Sequence, residues 1–399
     1  TRKTSAGLKI GSLNINGRGA DSIYSQDHKW HRVQSMMRNE RINVLGLQET
    51  HLSPDMITEL RETYKGKLEI LGSMEDGVLN AGGVAFAINS RITNLAGVEF
   101  HEIIKGRAIM LILDWHGLHK HAILNTYAPA GKVKDKRRFW NELTNRMIEL
   151  KLPSPDTHLG DHNLVEDGID RLPFGMPGAS ALAAFTQFKN LHMLIDGWRE
   201  INPTTKAYTH HNSSDGEARL DRIYVSKEVL KGSHTWAIKS VGSLSDHCLV
   251  SYVHTTGHIP YIGKGRWSIP LYVMQDKELM EKVNEKGLEL EREIDEKDGI
   301  IHPQLLWETF KGEVTKMARD KAKRAIPRID KEIGEWTTRL KTVERDESLS
   351  DDERKLTGAL MRAKLTELHD RKAGKAKSTA AARDYVEGET LSKYWMNVN

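Results

Sequence analysis

Leu159-Gly160-Asp161-His162-Asn163 closes an apolar run that begins at Asp156, and the reading of the first part of the chain starts there. Asp156 to Gly160 has the look of a strand, and the run ends on a carboxylate and an amide two residues apart. In an extended chain, residues two apart share a face. Asp161 and Asn163 would then point one way and His162 the other. A carboxylate can move a proton, and a neutral amide can donate to a phosphate oxygen without adding repulsion. That pair suits a phosphoryl site.

The same arrangement recurs outward in both directions. Asn14 lies in Leu13-Asn14-Ile15-Asn16-Gly17, Glu49 in Leu45-Gly46-Leu47-Gln48-Glu49-Thr50-His51, and Tyr127 in Leu124-Asn125-Thr126-Tyr127-Ala128-Pro129. Asp221 lies in Arg219-Leu220-Asp221-Arg222-Ile223-Tyr224, and Asp246 and His247 in Ser243-Leu244-Ser245-Asp246-His247-Cys248. Any one of these reads equally well as a turn or cap residue. Their recurrence where apolar runs finish is the informative feature, because a layered α/β fold can gather strand ends in one cleft.

The runs themselves predict that fold. Lys9 to Ile15, Ile42 to Glu49, Gly82 to Ile88, Ala108 to Asp114, His121 to Tyr127, Leu220 to Val225 and Cys248 to Val253 join Asp156 to Gly160 as strands. Helical spacing occupies His28 to Glu40, Asp135 to Leu150 and Ser180 to Leu191. Many strands with scattered helices predict a mixed α/β fold with two sheets packed face to face. His210-His211 has no metal-finger spacing and reads as a strand-end or loop pair.

Composition changes near residue 256. Charged residues make up about 23% of positions 1–260 and about 40% of 261–399. A Gly- and Pro-rich stretch, 257–268, reads as a linker between a first domain, 1–256, and a charged helical region, 269–399. Val273 to Glu293, Gln304 to Ala325, Ile329 to Val343 and Asp351 to Lys372 are predicted helices, forming a hairpin or loose coiled coil. Pro327, Gly334 and Ser348-Leu349-Ser350 punctuate them, and Ser350 with Glu353 spells a capping box. Trp307, Phe310 and Trp336 are expected between amphipathic helices.

Across its 399 residues the chain has a net charge of +4 and one cysteine, Cys248. A disulfide framework and a cysteine zinc site are excluded, and a reducing, intracellular setting is expected. No run of about eighteen apolar residues predicts a transmembrane helix, so no membrane partner is expected. Thr1-Arg2-Lys3-Thr4-Ser5 is no secretory signal, and without an initiator Met it reads as the start of a fragment or processed product.

The segments Leu13-Asn14-Ile15-Asn16-Gly17, Gln48-Glu49-Thr50-His51, Gly160-Asp161-His162-Asn163, Leu220-Asp221-Arg222-Ile223-Tyr224 and Ser245-Asp246-His247 resemble, in order, the motifs of the endonuclease/exonuclease/phosphatase superfamily. The resemblance spans residues 8–254. It is closest to the apurinic-like endonuclease domain of LINE-type retrotransposons. It implies a two-layered β-sandwich flanked by helices. It implies that Glu49, with Asn14, binds a divalent cation, magnesium with manganese as the alternative, or that Asn14 acts through the phosphate. Asp161 then orients or deprotonates the attacking water, or protonates the leaving oxygen. Asn163 and Tyr127 hold phosphate oxygens. His247 meets the scissile phosphate, paired with Asp221, and Asp246 completes the acidic cluster.

The sequence departs from the family at His162, usually aromatic or apolar, and in Gly17-Arg18-Gly19. Neither departure removes a catalytic group, so an active enzyme is expected. Arg18, Lys132 and Arg222 are the candidate DNA contacts, with Lys134, Lys136, Arg137 and Arg138 beside Lys132. Glu387 to Trp395 resembles the segment leading into a reverse transcriptase, and no Tyr-x-Asp-Asp motif occurs. The expected function is nicking of target-site DNA to expose a 3′-hydroxyl for a reverse transcriptase, in the nucleus. Expected partners are DNA, element RNA through the helical region, and that polymerase region. The alternatives are an abasic-site repair endonuclease, a small-substrate phosphatase or phosphodiesterase, and a non-catalytic nucleic-acid-binding scaffold. Intact Glu49, Asp161, Asp221, Asp246 and His247 speak against the scaffold.

Overall fold

The computed structural model describes the chain outside residues 1–3, 6, 24, 26–27, 76, 78–80, 116–118, 174, 176–177, 213–215, 256–260, 263–268, 270, 297–300, 347 and 389–399. Two compact units result: Thr1–Gly263 with Thr338–Glu367, and Lys264–Thr337 with Leu368–Asn399.

The principal strands of the first unit, in chain order, are β1 (Leu8–Asn14), β2 (Val44–Gln48), β3 (Leu68–Ser73), β4 (Val84–Asn89), β5 (Glu99–Ile104), β6 (Ala108–Trp115), β7 (His119–Tyr127), β8 (Thr157–Asp161), β9 (Ile195–Asp196), β10 (His210–Asn212), β11 (Gly216–Ala218), β12 (Asp221–Val225), β13 (Ser233–Ser240) and β14 (Cys248–His254). One mixed sheet runs β13-β14-β1-β2-β4-β3 and the other β9-β12-β8-β7-β6-β5. Near the middle of each lies one parallel pair, β1 with β2 and β7 with β8, so the ends of those strands finish side by side. All eight expected strands are present.

The sheets pack face to face. Leu8, Ile10, Val44, Val84, Phe86 and Ile88 from one meet Ile109, Leu111, Ile123, Leu159, Ile223 and Val225 from the other. Strand alternation sends the intervening side chains outward. Leu13, Leu45 and Leu47 pack under helices α1 (Lys29–Glu40) and α2 (Pro54–Thr63). Met110, Ile112 and Leu124 pack under α3 (Val133–Glu149) and α4 (Ala179–Leu191). The result is a β-sandwich with helices on both outer faces, as expected.

The helices show why they form. In α3, Phe139, Trp140, Leu143 and Met147 make one buried stripe. The α2 helix, which has no counterpart among the sequence expectations, starts with Ser53 accepting from the Met56 N–H at 3.2 Å and Pro54 in its first turn.

Close approach of the sheets depends on Gly46. A Cβ there would lie 2.2 Å from Leu159 Cδ1 and 3.2 Å from Asn125 Cγ. Beside it, Gln48 Nε2 donates to Asn125 Oδ1 at 2.7 Å, and Asn125 Nδ2 donates to the carbonyls of Leu47 (3.1 Å) and Ala85 (3.0 Å). This buried amide pair ties the two layers together just below the strand ends, with its polar atoms largely satisfied.

The helices that follow are α5 (Lys277–Glu296), α6 (Pro303–Arg345) and α7 (Asp351–Gly388). Two expected helices are one: α6 continues through Pro327 and Gly334. A proline removes one hydrogen bond and crowds the preceding turn, which a helix of this length carries on either side. The Ser350–Glu353 capping box forms, with Ser350 N donating to Glu353 Oε2 at 2.9 Å and Glu353 N to Ser350 Oγ at 3.3 Å. Trp307 stays 45% exposed and stacks on Phe310 rather than entering a core. In the second unit Val273, Leu279 and Ala318 form a small core, and Lys321 reaches Asp276 (2.9 Å) and Glu278 (2.8 Å).

Most of the expected linker, 257–268, lies outside the described residues, as does the segment from Glu389 onward. The division into units also differs from a single boundary near 256, because Thr338–Glu367 belongs with the sandwich. Composition could not show this, since the helices of both units carry similar charge.

Candidate active site

Each strand-end residue reaches the same rim of the sandwich. Tyr127 pairs in register with Asp161 across the parallel β7–β8 ladder. Asp161 pairs in turn with Asp221 across the antiparallel β8–β12 ladder. The three therefore stand in one row on the second sheet. From the first sheet, Asn14 ends β1 and Glu49 follows β2 in a left-handed conformation, φ 51°. Asn14 Nδ2 donates to Glu49 Oε1 at 2.8 Å and to Asp161 Oδ2 at 3.0 Å, so one amide joins carboxylates from both sheets.

Asp161 to Asn163 is not extended throughout. The strand ends at Asp161, and Asn163 turns left-handed at φ 47°. Its N–H donates back to Asp161 Oδ1 at 2.9 Å, and its Nδ2 donates to the Ala128 carbonyl at 2.8 Å. The amide thus still stands beside the carboxylate, by a turn rather than by strand alternation. His162 does point away. It is fully buried against Trp140, Phe185 and Tyr224, and both ring nitrogens lack a hydrogen-bond partner among the described residues. Burial holds its pKa well below the usual value.

His247 Nδ1 lies 2.8 Å from Asp221 Oδ2. Burial opposes a charge on this imidazole, but Asp221, with Asp161 and Asp246 behind it, raises its pKa to about 10. The ring is an imidazolium at neutral pH. Asp161 moves the other way from an ordinary carboxylate: burial, then the charge of Asp221, pushes it up to about 7. An acid and a base with displaced pKa values thus face each other across one cleft. Asp246 is anchored by Asn16 Nδ2 at 3.2 Å, and His247 with Asn16 lowers its pKa despite partial burial. Burial and then the Glu49 carboxylate hold the Tyr127 phenol well above its usual value.

The donor set fits a hard divalent cation. Glu49 Oε1 and Asp161 Oδ2 converge on one Asn14 amide, and the buried Oδ1 of Asp221 has no hydrogen-bond partner among the described residues. Ligand atoms of Asp161, Asp221 and His247 lie within 4.8 Å of one another. His247 Nδ1 is committed to Asp221, so carboxylate oxygens are the available ligands, and oxygen ligands suit magnesium or manganese.

Several residues at this rim carry no motif signal. Lys29 Nζ donates to the carbonyls of Ile15 (2.6 Å) and Asn16 (2.8 Å), with Asp246 and Glu49 in electrostatic range. The His210 ring lies 4.5 Å from that of His247. The Arg107 guanidinium sits 4.6 Å over the Tyr127 ring. Lys29 comes from the start of α1, Arg107 from the turn before β6, and His210 from a backbone bridge to His247, and single-sequence spacing encodes none of these approaches.

The expected DNA contacts separate. Lys132 is exposed at the N-terminus of α3. Arg18 is mostly buried, donating to the His51 carbonyl at 2.7 Å and pairing with Asp21. Arg222 is corrected: it is fully buried beneath β12, donating to the Leu164 carbonyl at 3.0 Å and pairing with Asp170 at 3.3 Å. Its neighbour Asp221 faces the cleft, and strand alternation therefore turns Arg222 to the other face of the sheet, where it is buried beside Tyr224.

Residues 11–247 match the Endonuclease/Exonuclease/phosphatase family. The chain is 27% identical over 251 residues to the Transposon TX1 uncharacterized 149 kDa protein of Xenopus laevis, covering 61% of this chain and 18% of that protein. It therefore spans less than a fifth of that relative's length. Among solved structures, the fold is similar to AP endonuclease LMAP from Leishmania major, with a TM-score of 0.51 and 16% identity over 63% of this chain and 88% of that one. It is also similar to a 3′ phosphatase from Neisseria bound to a product DNA hairpin, with a TM-score of 0.51 and 19% identity over 62% of this chain and all of that one.

Proposed function

The chain belongs to the Endonuclease/Exonuclease/phosphatase family of hydrolytic nucleases and phosphatases, and from that premise we propose that it is a divalent-metal-dependent DNA endonuclease. The observation that carries this reading is the row Tyr127–Asp161–Asp221 with His247 bound to Asp221. A phosphodiester is anionic and resists attack by water. A divalent cation, which Glu49 with Asn14 would hold, would supply neutralising charge. The His247 imidazolium donates to a phosphate oxygen and stabilises the charge that develops on it. Asp221 keeps that ring protonated and oriented. Asp161 accepts the proton of the attacking water, which its raised pKa favours near neutrality. Asn163 and Tyr127 stand where phosphate oxygens would bind.

DNA is the proposed substrate because the sequence relative is a transposon protein, and a fold relative was solved with a DNA hairpin. The proposed product is a nick with a 3′-hydroxyl that primes reverse transcription in the nucleus, by a polymerase region of the same element. Incubation with supercoiled plasmid, abasic duplex and small phosphate esters, with and without magnesium, tests it. Magnesium-dependent conversion of plasmid to open circle is expected. Turnover of abasic duplex alone, or of small esters alone, would replace this reading.

A further inference from the structure

Behind the catalytic pair stands a short strand that no motif marks. Thr209, just ahead of β10, accepts from the backbone N–H of Asp221 at 2.9 Å and of Leu220 at 3.0 Å through its Oγ1. Its carbonyl accepts from Cys248 N at 2.7 Å. His210 forms a backbone bridge with His247, and their rings lie 4.5 Å apart. The segment from Thr209 to His211 therefore braces both Asp221 and His247 from one side.

That segment is itself held from behind. His211 is the register partner of Glu217 on β11, with Nδ1 3.8 Å from Glu217 Oε2. Its Nε2 is 3.8 Å from Cys248 Sγ. Glu217 is 3% exposed and would be an uncompensated buried charge within the sandwich alone. Its cation comes from far along the chain. Arg362 Nη2 pairs with Glu217, and Arg362 Nη1 lies 3.5 Å from Glu344 Oε1. Both belong to Thr338–Glu367, the end of α6 and the start of α7, in the same unit as the sandwich. The turn between the helices is fixed by the Ser350–Glu353 box and by Ser348 N donating to Asp346 Oδ1 at 3.0 Å.

We infer that Thr338–Glu367 is a strap completing the nuclease unit, and that Arg362, acting through Glu217, is a positioning residue that holds β10 against His247 and Asp221. The inference rests on the reading of that pair as the reacting centre. Without Arg362, the only arginine or lysine paired with it among the described residues, the buried Glu217 carboxylate must take a proton or draw water, and either loosens the β10–β11 ladder. The consequence at His247 is misplacement rather than loss of a reacting group.

The test uses the full chain with Arg362→Met, Arg362→Lys and the double variant Glu217→Gln/Arg362→Met. Two readouts are taken: single-turnover nicking of supercoiled plasmid in magnesium, and amide hydrogen exchange over 208–221 and 247–249. Arg362→Met is expected to lower the single-turnover rate constant roughly tenfold or more at full amplitude, with DNA affinity unchanged. Arg362→Lys should stay within a few-fold of the unsubstituted chain, and the double variant should recover rate relative to Arg362→Met. The Thr209, Asp221 and Cys248 amides should exchange faster in Arg362→Met only. Reduced amplitude at an unchanged rate constant, no recovery in the double variant, or unchanged exchange would overturn the strap. If the unsubstituted chain nicks no DNA, the endonuclease reading fails by itself, and exchange alone then supports or overturns the strap.

Discussion

The Nδ1–H of His247 donates to Asp221 Oδ2 over 2.8 Å, and Asp221 is also the register partner of Asp161 on the adjacent strand. One carboxylate therefore acts on two groups in the same direction. It raises the pKa of the imidazole and of the neighbouring carboxyl together. Asp161→Asn and His247→Gln are each expected to lower the nicking rate about a thousandfold, roughly 4 kcal/mol of transition-state stabilisation. Single-turnover assays at saturating magnesium check this, and a loss of only a few-fold would remove these residues from the reacting centre.

The pH profile follows with a defined sign. Asp161 must be deprotonated to act as a base, so the rate should rise with pH along an acid limb lying no higher than about 7. His247 must be protonated, so the rate should fall as pH rises through about 10. Bound cation would move the acid limb lower. Asp221→Asn removes the charge that raises both pKa values, so both limbs should shift toward lower pH. An alkaline limb that stays in place or moves upward would show that His247 is not held charged by Asp221.

In the proposed mechanism Glu49 would hold the cation without taking part in the proton transfers. Glu49→Gln should raise the magnesium concentration for half-maximal rate by about tenfold to a hundredfold, with partial recovery in manganese. A magnesium titration on both proteins decides it. Chelation with EDTA should abolish nicking and leave the far-ultraviolet circular dichroism unchanged, since the sandwich core is formed by apolar side chains.

DNA contact and buried charge are separable by salt. Lys132→Ala, with Lys134→Ala, should weaken binding and flatten its salt dependence by about 0.9 in log–log slope for each lost phosphate contact. Arg222→Met should instead leave the slope alone and cost about 1–3 kcal/mol of stability, because it removes the buried donor to the Leu164 carbonyl and one of the cations around Asp170, which keeps Arg219 and Arg199. Denaturant melts beside binding isotherms distinguish the two.

Gly46→Ala tests the packing of the layers. A Cβ 2.2 Å from Leu159 Cδ1 must push the sheets apart or force a rotamer change, costing about 1–3 kcal/mol. The shift should also slow nicking, because β2 leads directly into Glu49 and β8 ends in Asp161. A melting temperature equal to that of the unsubstituted chain would mean that the sheets are less closely apposed at Gly46.

By itself the sequence determined the eight strands and the ends at which chemistry collects. Ile10 to Ile15 and Ala108 to Leu113 are buried on both faces, and such strands are mainly apolar runs that end abruptly. It missed the short strands β10 and β11, and in the two six-stranded sheets it missed β3, β5, β9 and β13, which are the four edges. An edge strand is half exposed, so its residues are mixed and its period weak. The positions of Asn14, Glu49, Tyr127, Asp161, Asn163, Asp221 and His247 were legible, because each lies at or beside an end of a strand whose burial the pattern reveals. Only the tertiary structure decided that Arg222 points into the core, that Lys29, Arg107 and His210 stand beside the site, and that Arg362 neutralises Glu217. Those depend on cross-strand register and on charge compensation between residues far apart in the chain. Neither leaves a local pattern, because a buried carboxylate can take its cation from any segment that packs against it.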